Sequence, residues 1–186
     1  MSSHLIIVTG MPASGKTTLA RGISKELSLP LIEKDSIKEK LFDSLGWSDR
    51  EWSKKVSFAT YDLMYYFMEQ LLANNQSLVV ESNFKPEFAN KEIQKLSELY
   101  NFKVTQIVCS ADRKVLYDRF LRRARSGNRH PGHVDAQNAE EWRDYFFNQE
   151  NKVEALGIDS VVINIDNTHF KPDTVMSVVA QIKKLK

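Results

Sequence analysis

The fold is decided by the stretch Leu5-Ile-Ile-Val-Thr-Gly10-Met-Pro-Ala-Ser-Gly15-Lys16-Thr17 near the start of the chain. Residues 10–17 match the pattern G-x-x-x-x-G-K-[ST] at every fixed position. The pattern follows a short apolar run typical of a buried strand, and it opens a helical pattern that extends from Gly15 to Leu27. A glycine-rich turn between a strand and a helix is the setting that this motif requires, so a chance match is disfavoured.

The spacing of this motif predicts a loop that binds the phosphates of ATP or a related nucleoside triphosphate. Backbone N–H groups of such a loop point inward at phosphate oxygens, and the N-terminal end of the following helix adds positive potential. The Lys16 ammonium reaches the β- and γ-phosphates, and the Thr17 hydroxyl is a ligand for the Mg²⁺ that bridges them. The predicted nucleotide-binding positions in this stretch are Gly10, Met11, Pro12, Ala13, Ser14, Gly15, Lys16, Thr17 and Thr18.

The composition is that of an ordinary globular domain of 186 residues, of which 42% are hydrophobic. A net charge of +2 disfavours a protein that coats nucleic acid in bulk. The single cysteine, Cys109, excludes a disulfide within the chain and favours a reducing compartment. Because the N-terminus lacks a charged segment before its apolar run, and no run reaches membrane-spanning length, we expect a soluble, cytoplasmic protein.

Short apolar runs alternate with helical patterns along the whole chain. The runs at residues 5–9, 31–32, 77–81, 104–109 and 160–165 are continuous, which is typical of strands covered on both faces. Strands that alternate with helices predict right-handed crossovers and a parallel sheet, here in one α/β domain covering residues 1–186.

Helix boundaries and buried faces are also predicted. Capping-box patterns at residues 36–39 and 48–51 and prolines at positions 86 and 172 indicate helix starts. The longest helix is predicted from about Asp49 to Asn74. Its buried stripe is predicted to consist of Trp52, Val56, Ala59, Leu63, Phe67 and Leu71.

Together these features resemble the small phosphate-loop (P-loop) kinases, a group that includes adenylate, shikimate and gluconate kinases, zeta-toxin-type kinases and the kinase domain of polynucleotide 5′-kinases. The resemblance covers most of the chain and is sharpest at the phosphate loop. It implies a three-layer P-loop NTPase fold with a five-stranded parallel sheet of order 2-3-1-4-5, flanked by helices and completed by an arginine-rich lid. It also implies transfer of the γ-phosphate of ATP, with Mg²⁺, to a hydroxyl group.

The segment after the second strand is predicted to meet the acceptor. By the resemblance, Asp35 faces the acceptor hydroxyl and accepts its proton, and Lys38 holds the acceptor. Phosphoryl transfer needs an oriented acceptor oxygen and a group that takes its proton, which supports this role independently. Stabilisation of the helix start is the alternative for Asp35. Glu81 and Asn83 after the third strand are further acceptor-binding candidates, with water-mediated Mg²⁺ binding and turn formation as their respective alternatives.

A basic cluster follows the fourth strand, where seven of the residues 113–129 are Lys or Arg. Arg119 and Arg123 are four residues apart and share one helix face, whereas Arg122 points elsewhere. The resemblance implies a lid at about residues 119–137, in which one arginine of this pair lies against the adenine and the other on the phosphates. We expect Arg119 to contribute mainly to nucleotide affinity and Arg123 to act on the transferring phosphate. Arg129 is expected to reach the phosphates when the lid closes. The predicted catalytic residues are therefore Lys16, Asp35 and Arg123, and a solvated basic face is the alternative for the cluster.

Two further features complete the predicted nucleotide and lid regions. Asn167 follows the last strand, and the resemblance implies that its loop passes the adenine ring; an ordinary turn is the alternative. His130 and His133 are separated by a Pro-Gly pair that breaks any helix, which disfavours a metal site. Contact of a histidine with phosphate or acceptor is the prediction.

Two functions from different classes remain open. The first is a kinase, and the second is a nucleotide-dependent ATPase or switch module that has no small acceptor. Asp35 and the absence of a D-x-x-G segment after the third strand favour the kinase. Its acceptor, a small molecule or the 5′-hydroxyl end of a nucleic acid, is not identified by the sequence. The aromatic residues Trp47, Trp52, Tyr61, Tyr65 and Tyr66 are able to stack on a base or sugar, although core packing is their default role.

Overall fold

The computed structural model describes residues 2–127, 129–148, 153–169 and 171–185. The predicted lid at residues 119–137 includes Asn128, which lies outside the described residues.

The centre of the molecule is a parallel sheet in which every residue of the first strand is buried. Its strand order is β2-β3-β1-β4-β5, which confirms the predicted 2-3-1-4-5 arrangement. The four strand pairings among the described residues are parallel, so the carboxyl ends of the strands meet at one edge of the sheet. The strands are β1 (Ser3–Gly10), β2 (Leu31–Glu33), β3 (Leu78–Glu81), β4 (Phe102–Ser110) and β5 (Val161–Asp166).

The described residues form seven α-helices, four of which cover the two faces of this sheet. The helices are α1 (Lys16–Leu27), α2 (Lys34–Leu45), α3 (Arg50–Ala73), α4 (Pro86–Leu99), α5 (Arg113–Arg125), α6 (Ala139–Phe147) and α7 (Thr174–Lys183). Helices α1 and α7 bury Ile23 and Val178 against one face of the sheet, and α3 and α4 bury Met64 and Ile93 against the other. Two short 3-10 helices, Pro131–His133 and Ala136–Asn138, connect α5 to α6, and Phe120 and Phe146 form a third apolar cluster there.

Several predicted helix starts are wrong by a few residues. Helix α2 begins at Lys34 directly after β2, so Ser36 lies inside its first turn and donates to the Glu33 carboxylate at 2.6 Å. Asp49, not its neighbour at position 48, caps α3 by accepting from the Trp52 backbone N–H at 2.8 Å. Helix α7 begins two residues after position 172, whereas the proline at position 86 is the first residue of α4, as predicted.

In the predicted buried stripe of α3, Val56 is confirmed and the other positions are wrong by one residue. The buried positions are Ser53, Val56, Thr60, Met64, Met68 and Leu72. Buried hydroxyl groups explain the shift: Thr60 donates to the carbonyl of Val56 at 2.7 Å, so a polar residue is satisfied in the core. Phe67 is exposed instead. No helix in the described part of the chain is both long and apolar enough to cross a bilayer.

Candidate active site

The turn between β1 and α1 has the backbone geometry of a phosphate cradle. Ala13 and Gly15 have φ values of 62° and 85°, and the Ser14 N–H donates to the Met11 carbonyl at 3.2 Å. Such left-handed residues turn successive backbone amides toward one side, where an anion can accept from them. A Cβ atom at Gly10 would lie 2.5 Å from the carbonyl oxygen of Cys109, so only glycine fits there.

The side chain of Asn167, directly after β5, supports this loop. Its Nδ2 donates to the Ser14 carbonyl at 2.8 Å, and the residue is 3% exposed. Its backbone N–H donates to the Ser110 carbonyl at 2.8 Å, which fixes the loop after β5 against the end of β4. The structure therefore places Asn167 in contact with the phosphate-loop backbone.

Glu81 lies against the two functional side chains of the phosphate loop. Its carboxylate is 3.6 Å from the Lys16 ammonium and accepts from the Thr17 hydroxyl at 3.2 Å. Burial raises the pKa of Glu81, whereas Lys16 lowers it. The pairing of β1 with β3 causes this contact, because Glu81 is in register with Val8 at the end of the central strand. The predicted acceptor residue thus lies on the nucleotide side of the site.

The Thr17 hydroxyl and the Glu81 carboxylate fit a magnesium ion. Both are hard oxygen donors, and Mg²⁺ retains several water molecules and takes its other ligands from bound phosphates. In the described part of the chain, no group of three or more His, Cys, Asp and Glu side chains could hold a metal ion without such help. His130 contacts the Asp43 carboxylate and His133 contacts the Glu39 carboxylate.

A cavity of about 890 Å³ opens beside the phosphate loop. Pro12, Lys16 and Glu81 line its nucleotide end, and side chains from α2, α3, α4, α5 and α6 line the rest. Asp35, Lys38 and Asn83, three predicted acceptor residues, belong to this lining, as do Arg123 and Arg129 from the lid region. The topology thus brings residues about 115 positions apart in the sequence to one cavity.

Asp35 lies in the first turn of α2 between two cations. Its carboxylate is 3.6 Å from the Lys34 ammonium and accepts from the Arg129 guanidinium at 2.9 Å. Burial alone would raise the pKa of Asp35, but Lys34 and Arg129 together hold it well below its usual value. The side chain is 38% exposed. Asp35 is therefore ionised at neutral pH and is accessible to a molecule in the cavity.

Lys38 lies one turn further along α2 and is only 4% exposed. Its ammonium donates to the Ser53 hydroxyl at 2.9 Å and lies 5.2 Å from the centre of the Phe42 ring. Burial, reinforced by the charge of Lys34, lowers the pKa of Lys38 to about 7.

Tyr61 lines the cavity and also packs against the core, which was its default prediction from the sequence. Its hydroxyl lies 2.8 Å from the Ser82 hydroxyl and 3.3 Å from the Asn83 side-chain oxygen. The Lys34 ammonium lies 5.7 Å from the centre of its ring. Burial raises the pKa of Tyr61 to about 12, so the phenol is a neutral hydrogen-bonding group. This cluster presents hydroxyl and amide groups to the cavity next to Asp35.

The segment after α5 is docked on α2. Arg129 donates to Asp35 at 2.9 Å, to Asp135 at 3.1 Å and to Glu39 at 3.5 Å. The prediction is that Arg129 reaches the phosphates when the lid closes; in this structure its guanidinium lies among the carboxylates of Asp35, Asp135 and Glu39. His133 adds a contact of 2.9 Å to Glu39.

Phe42 on α2 is buried against residues 130–133. The ring of His130 stacks on it at a centroid distance of 5.3 Å, and the ring of His133 meets it edge-on at 5.7 Å. His130 also contacts the Asp43 carboxylate at 3.3 Å. These contacts explain Gly132, because a Cβ atom there would lie 2.6 Å from the Phe42 ring.

Replacing Gly132 by alanine is therefore expected to destabilise the protein by about 1–3 kcal/mol, since the added methyl group overpacks a buried ring. Urea denaturation would measure the change in the free energy of unfolding. Gly157→Ala is the matched control, because a Cβ atom there would be no closer than 3.4 Å to any neighbouring atom. Equal stability of the two variants would show that the lid does not pack tightly on Phe42.

The arginines of α5 divide as their helical spacing predicts. Arg119 donates to the Thr168 carbonyl at 3.2 Å, beside the loop that contains Asn167. Arg123 lines the cavity, and its buried Nε has no hydrogen-bond partner within the described residues. Arg122 is exposed on another face of the helix, away from the cavity. The exposed face and the cavity face of the basic cluster are thus distinct.

Comparison with known proteins agrees with this geometry. The AAA domain family matches residues 5–149 of the chain. The chain is 34% identical, over 99% of its own length and 98% of the other chain, to a protein of Chloroflexus aurantiacus J-10-fl described as a candidate kinase, with a TM-score of 0.88. Among curated proteins, none matches this sequence.

Two further crystal structures share the fold at low sequence identity. One is a sugar kinase from Janibacter sp. HTCC2649, with a TM-score of 0.59 and 17% identity over 99% of this chain and 95% of that one. The other is a gluconokinase from Sinorhizobium meliloti 1021, with a TM-score of 0.52 and 15% identity over 99% and 93%. By sequence, sheet order and phosphate-loop geometry, the chain is a member of the AAA domain family with the fold of the small P-loop kinases.

Proposed function

We propose that the protein transfers the γ-phosphate of ATP to a hydroxyl group of an acceptor bound in the cavity. The observation that carries this proposal is the continuity of the cavity, which joins Lys16 and Glu81 at the phosphate loop to Asp35 on α2. A nucleotide held by the loop would place its terminal phosphate at the entrance to a space that is large enough for a second molecule.

The nucleotide end supplies binding and charge neutralisation. Backbone amides of residues 10–15 and the N-terminus of α1 would hold the phosphates, and Lys16 would exchange its contact with Glu81 for phosphate oxygens. Thr17, with Glu81 directly or through water, would hold Mg²⁺. When bound, the ion neutralises charge on the β- and γ-phosphate oxygens.

The acceptor end orients the attacking oxygen. In the reaction the acceptor oxygen bonds to the γ-phosphorus, the bond to the bridging oxygen of ADP breaks, and the hydroxyl proton passes to Asp35. A carboxylate with a lowered pKa is a weak base, so it takes this proton late, after the phosphoryl group has largely left ADP. Tyr61, Ser82 and Asn83 are positioned to bind other polar groups of the acceptor.

Arg123 is proposed to stabilise the transferring phosphoryl group. Its guanidinium lies on the cavity side of α5, and its Nε has no hydrogen-bond partner within the described residues. A buried N–H group without a partner destabilises the folded protein, and a phosphate oxygen that accepts from it would remove this cost. Arg119, next to the loop after β5, is proposed to contact the nucleotide base. Arg129 is proposed to position Asp35, because it already binds that carboxylate.

ADP release, measured by a coupled assay with and without an acceptor panel of sugars, nucleosides, antibiotics and 5′-hydroxyl oligonucleotides, tests the proposal. We expect release to depend on one class of acceptor. ADP release at the same rate with no acceptor at all would instead indicate the ATPase or switch module and would contradict the kinase.

The two faces of α5 give a second test. We expect Arg123→Ala to lower turnover by at least about tenfold, because a guanidinium on the transferring group acts in the transition state. Arg122→Ala, an exposed neighbour on the same helix, is the control and is expected to leave turnover within about twofold. Equal, small effects of both substitutions would show that the cluster is a solvated basic face.

A further inference from the structure

Lys38 is a buried cation whose partner is not a carboxylate. It is 4% exposed, and its ammonium contacts the Ser53 hydroxyl at 2.9 Å and the face of Phe42. No carboxylate within the described residues forms an ion pair with it. A buried ammonium that faces only a hydroxyl and a ring is poorly compensated, because neither neighbour carries a full negative charge.

The neighbouring carboxylates already have cations of their own. Asp35 is paired with Lys34 and Arg129, and Glu141 forms a two-pronged pair with Arg50 at 2.7 and 3.1 Å. Asp135 and Glu39 are held by Arg129 and His133. Among the cations that line the cavity in the described structure, Lys38 is the buried one that no carboxylate neutralises; Lys91 and Lys95 also line the cavity without an ion pair, but both are exposed to solvent. Arg123, a partly buried cation that forms no salt bridge within the described residues, lies toward the transferring phosphate in the proposed mechanism.

The charges that act on Lys38 are mostly positive. Lys34, Arg50 and Arg129 favour its neutral form, and Asp35 is the carboxylate that opposes them. His133 lies near enough for Lys38 to disfavour its protonation, and burial lowers the pKa of that histidine as well. The charged groups around Lys38 therefore include more cations than anions, and one additional negative charge would compensate the Lys38 ammonium.

We propose that the acceptor carries an oxyanion, a carboxylate or a phosphate, in addition to its reacting hydroxyl, and that this group binds Lys38 between α2 and α3. The inference rests on the proposed function and narrows its substrate class. A neutral polyol would leave the ammonium uncompensated, and a polycationic acceptor would be repelled by it. An oxyanion supplies both the missing charge and acceptor atoms for an N–H donor.

The binding of such an anion should be accompanied by proton uptake. Lys38 has a pKa of about 7 in the free protein, so at about pH 8 the amine is mostly neutral. An anion in contact with it raises that pKa, and the amine then takes a proton from the solvent. The affinity for the anion should fall by about tenfold per pH unit above pH 8, because binding requires the protonated form.

Isothermal titration calorimetry measures this uptake directly. The protein is first loaded with Mg²⁺ and a non-hydrolysable ATP analogue, which occupies the phosphate loop, and is then titrated with acetate or methyl phosphate in two buffers of different ionisation enthalpy. We expect an uptake approaching one proton per anion at about pH 8. The stronger of the two anions identifies carboxylate or phosphate as the natural group.

Substitutions at position 38 separate anion binding from a structural role. Lys38→Met is expected to abolish both anion binding and proton uptake. Lys38→Arg, whose guanidinium stays charged, is expected to bind the anion with no uptake. Lys40→Met is the control, because Lys40 is on the same helix and its side chain is 84% exposed.

If Lys38→Met fails to fold, the result with Lys38→Arg decides whether Lys38 binds the anion. The proposal is overturned if neither anion binds the wild-type protein, if binding takes up no proton, or if uptake persists in either Lys38 variant.

Turnover with matched acceptors gives an independent readout. Glycerol, glycerate and glycerol 3-phosphate, and then glucose, glucuronate and glucose 1-phosphate, differ mainly in their charged group. We expect kcat/KM for the charged members of a productive series to exceed that of the neutral parent by at least about tenfold. Faster transfer to the neutral parent would overturn the anion site while leaving the kinase intact. If neither series is phosphorylated, the calorimetric result still decides the inference separately from the proposed function.

Discussion

Turnover of the Lys16→Ala protein is expected to fall by about 10³-fold or more, with weakened ATP binding and an intact fold. The Lys16 ammonium is the cation nearest the proposed position of the β- and γ-phosphates, and alanine leaves no charge there. The helix should persist, because Lys16 is the first residue of α1 and alanine is a strong helix former.

A coupled ADP assay beside calorimetric titration of ATP measures both effects. Lys25→Ala is the matched control, since Lys25 is an exposed residue in the last turn of the same helix. Circular dichroism should give the same helix content for both variants. Near-normal turnover of Lys16→Ala would show that the phosphate loop does not take part in the reaction, and it would contradict the proposed function.

Asp35→Asn is expected to lower the transfer rate by about 10²–10⁴-fold while ATP affinity is retained. The amide oxygen of asparagine still accepts from Arg129, and Arg129 keeps its bond to Asp135, so the lid stays docked on α2. What is lost is the negative charge that orients the acceptor hydroxyl and takes its proton. Initial rates and ATP dissociation constants of the variant and the wild-type protein test this prediction. A loss of ATP affinity as large as the loss of rate would show that Asp35 does not act on the acceptor.

The pH dependence of the wild-type rate follows from the same residue. Because the folded-state pKa of Asp35 is lowered well below the ordinary 3.8, its stabilising charge is fully present above that value and is lost only as the pH falls through the lower folded-state pKa. We therefore expect no loss of rate from protonation of Asp35 between about pH 5 and pH 8. If the rate instead rises with pH in this range, and the inflection of the pH profile is absent from Asp35→Asn, then Asp35 is not held ionised by its ion pairs with Lys34 and Arg129.

The features that the sequence predicted well are local ones. The phosphate loop is contiguous, so its glycines, lysine and threonine could be read from spacing alone. The sheet order came from the family resemblance, and the relative phase of Arg119, Arg122 and Arg123 from helical geometry. Residues within one turn of each other need no knowledge of tertiary packing.

Contacts between distant segments were not predictable in this way. Arg129 contacts Asp35 across 94 positions of the sequence, and Glu81 contacts Thr17 across 64. The residues next to one partner therefore give no indication of the other. The phase of α3 was wrong because buried hydroxyl groups replaced apolar residues in its core stripe. The hydrogen bonds of Tyr61 at the cavity were not predicted for a related reason: the residue borders that stripe, so its ring packs against the core while its hydroxyl contacts Ser82.

The docking of the lid on α2 has a consequence for how such proteins diversify. Glu39 is paired with His133, Asp43 with His130, and Phe42 with the glycine at position 132, so each lid position is matched to a residue about 90 positions earlier. A change on one side removes the partner of the other, and a compensating change restores it. Homologues that exchange one acceptor for another by altering α2 should therefore show correlated substitutions in residues 129–135, and this segment should be inherited together with α2 as one evolutionary unit.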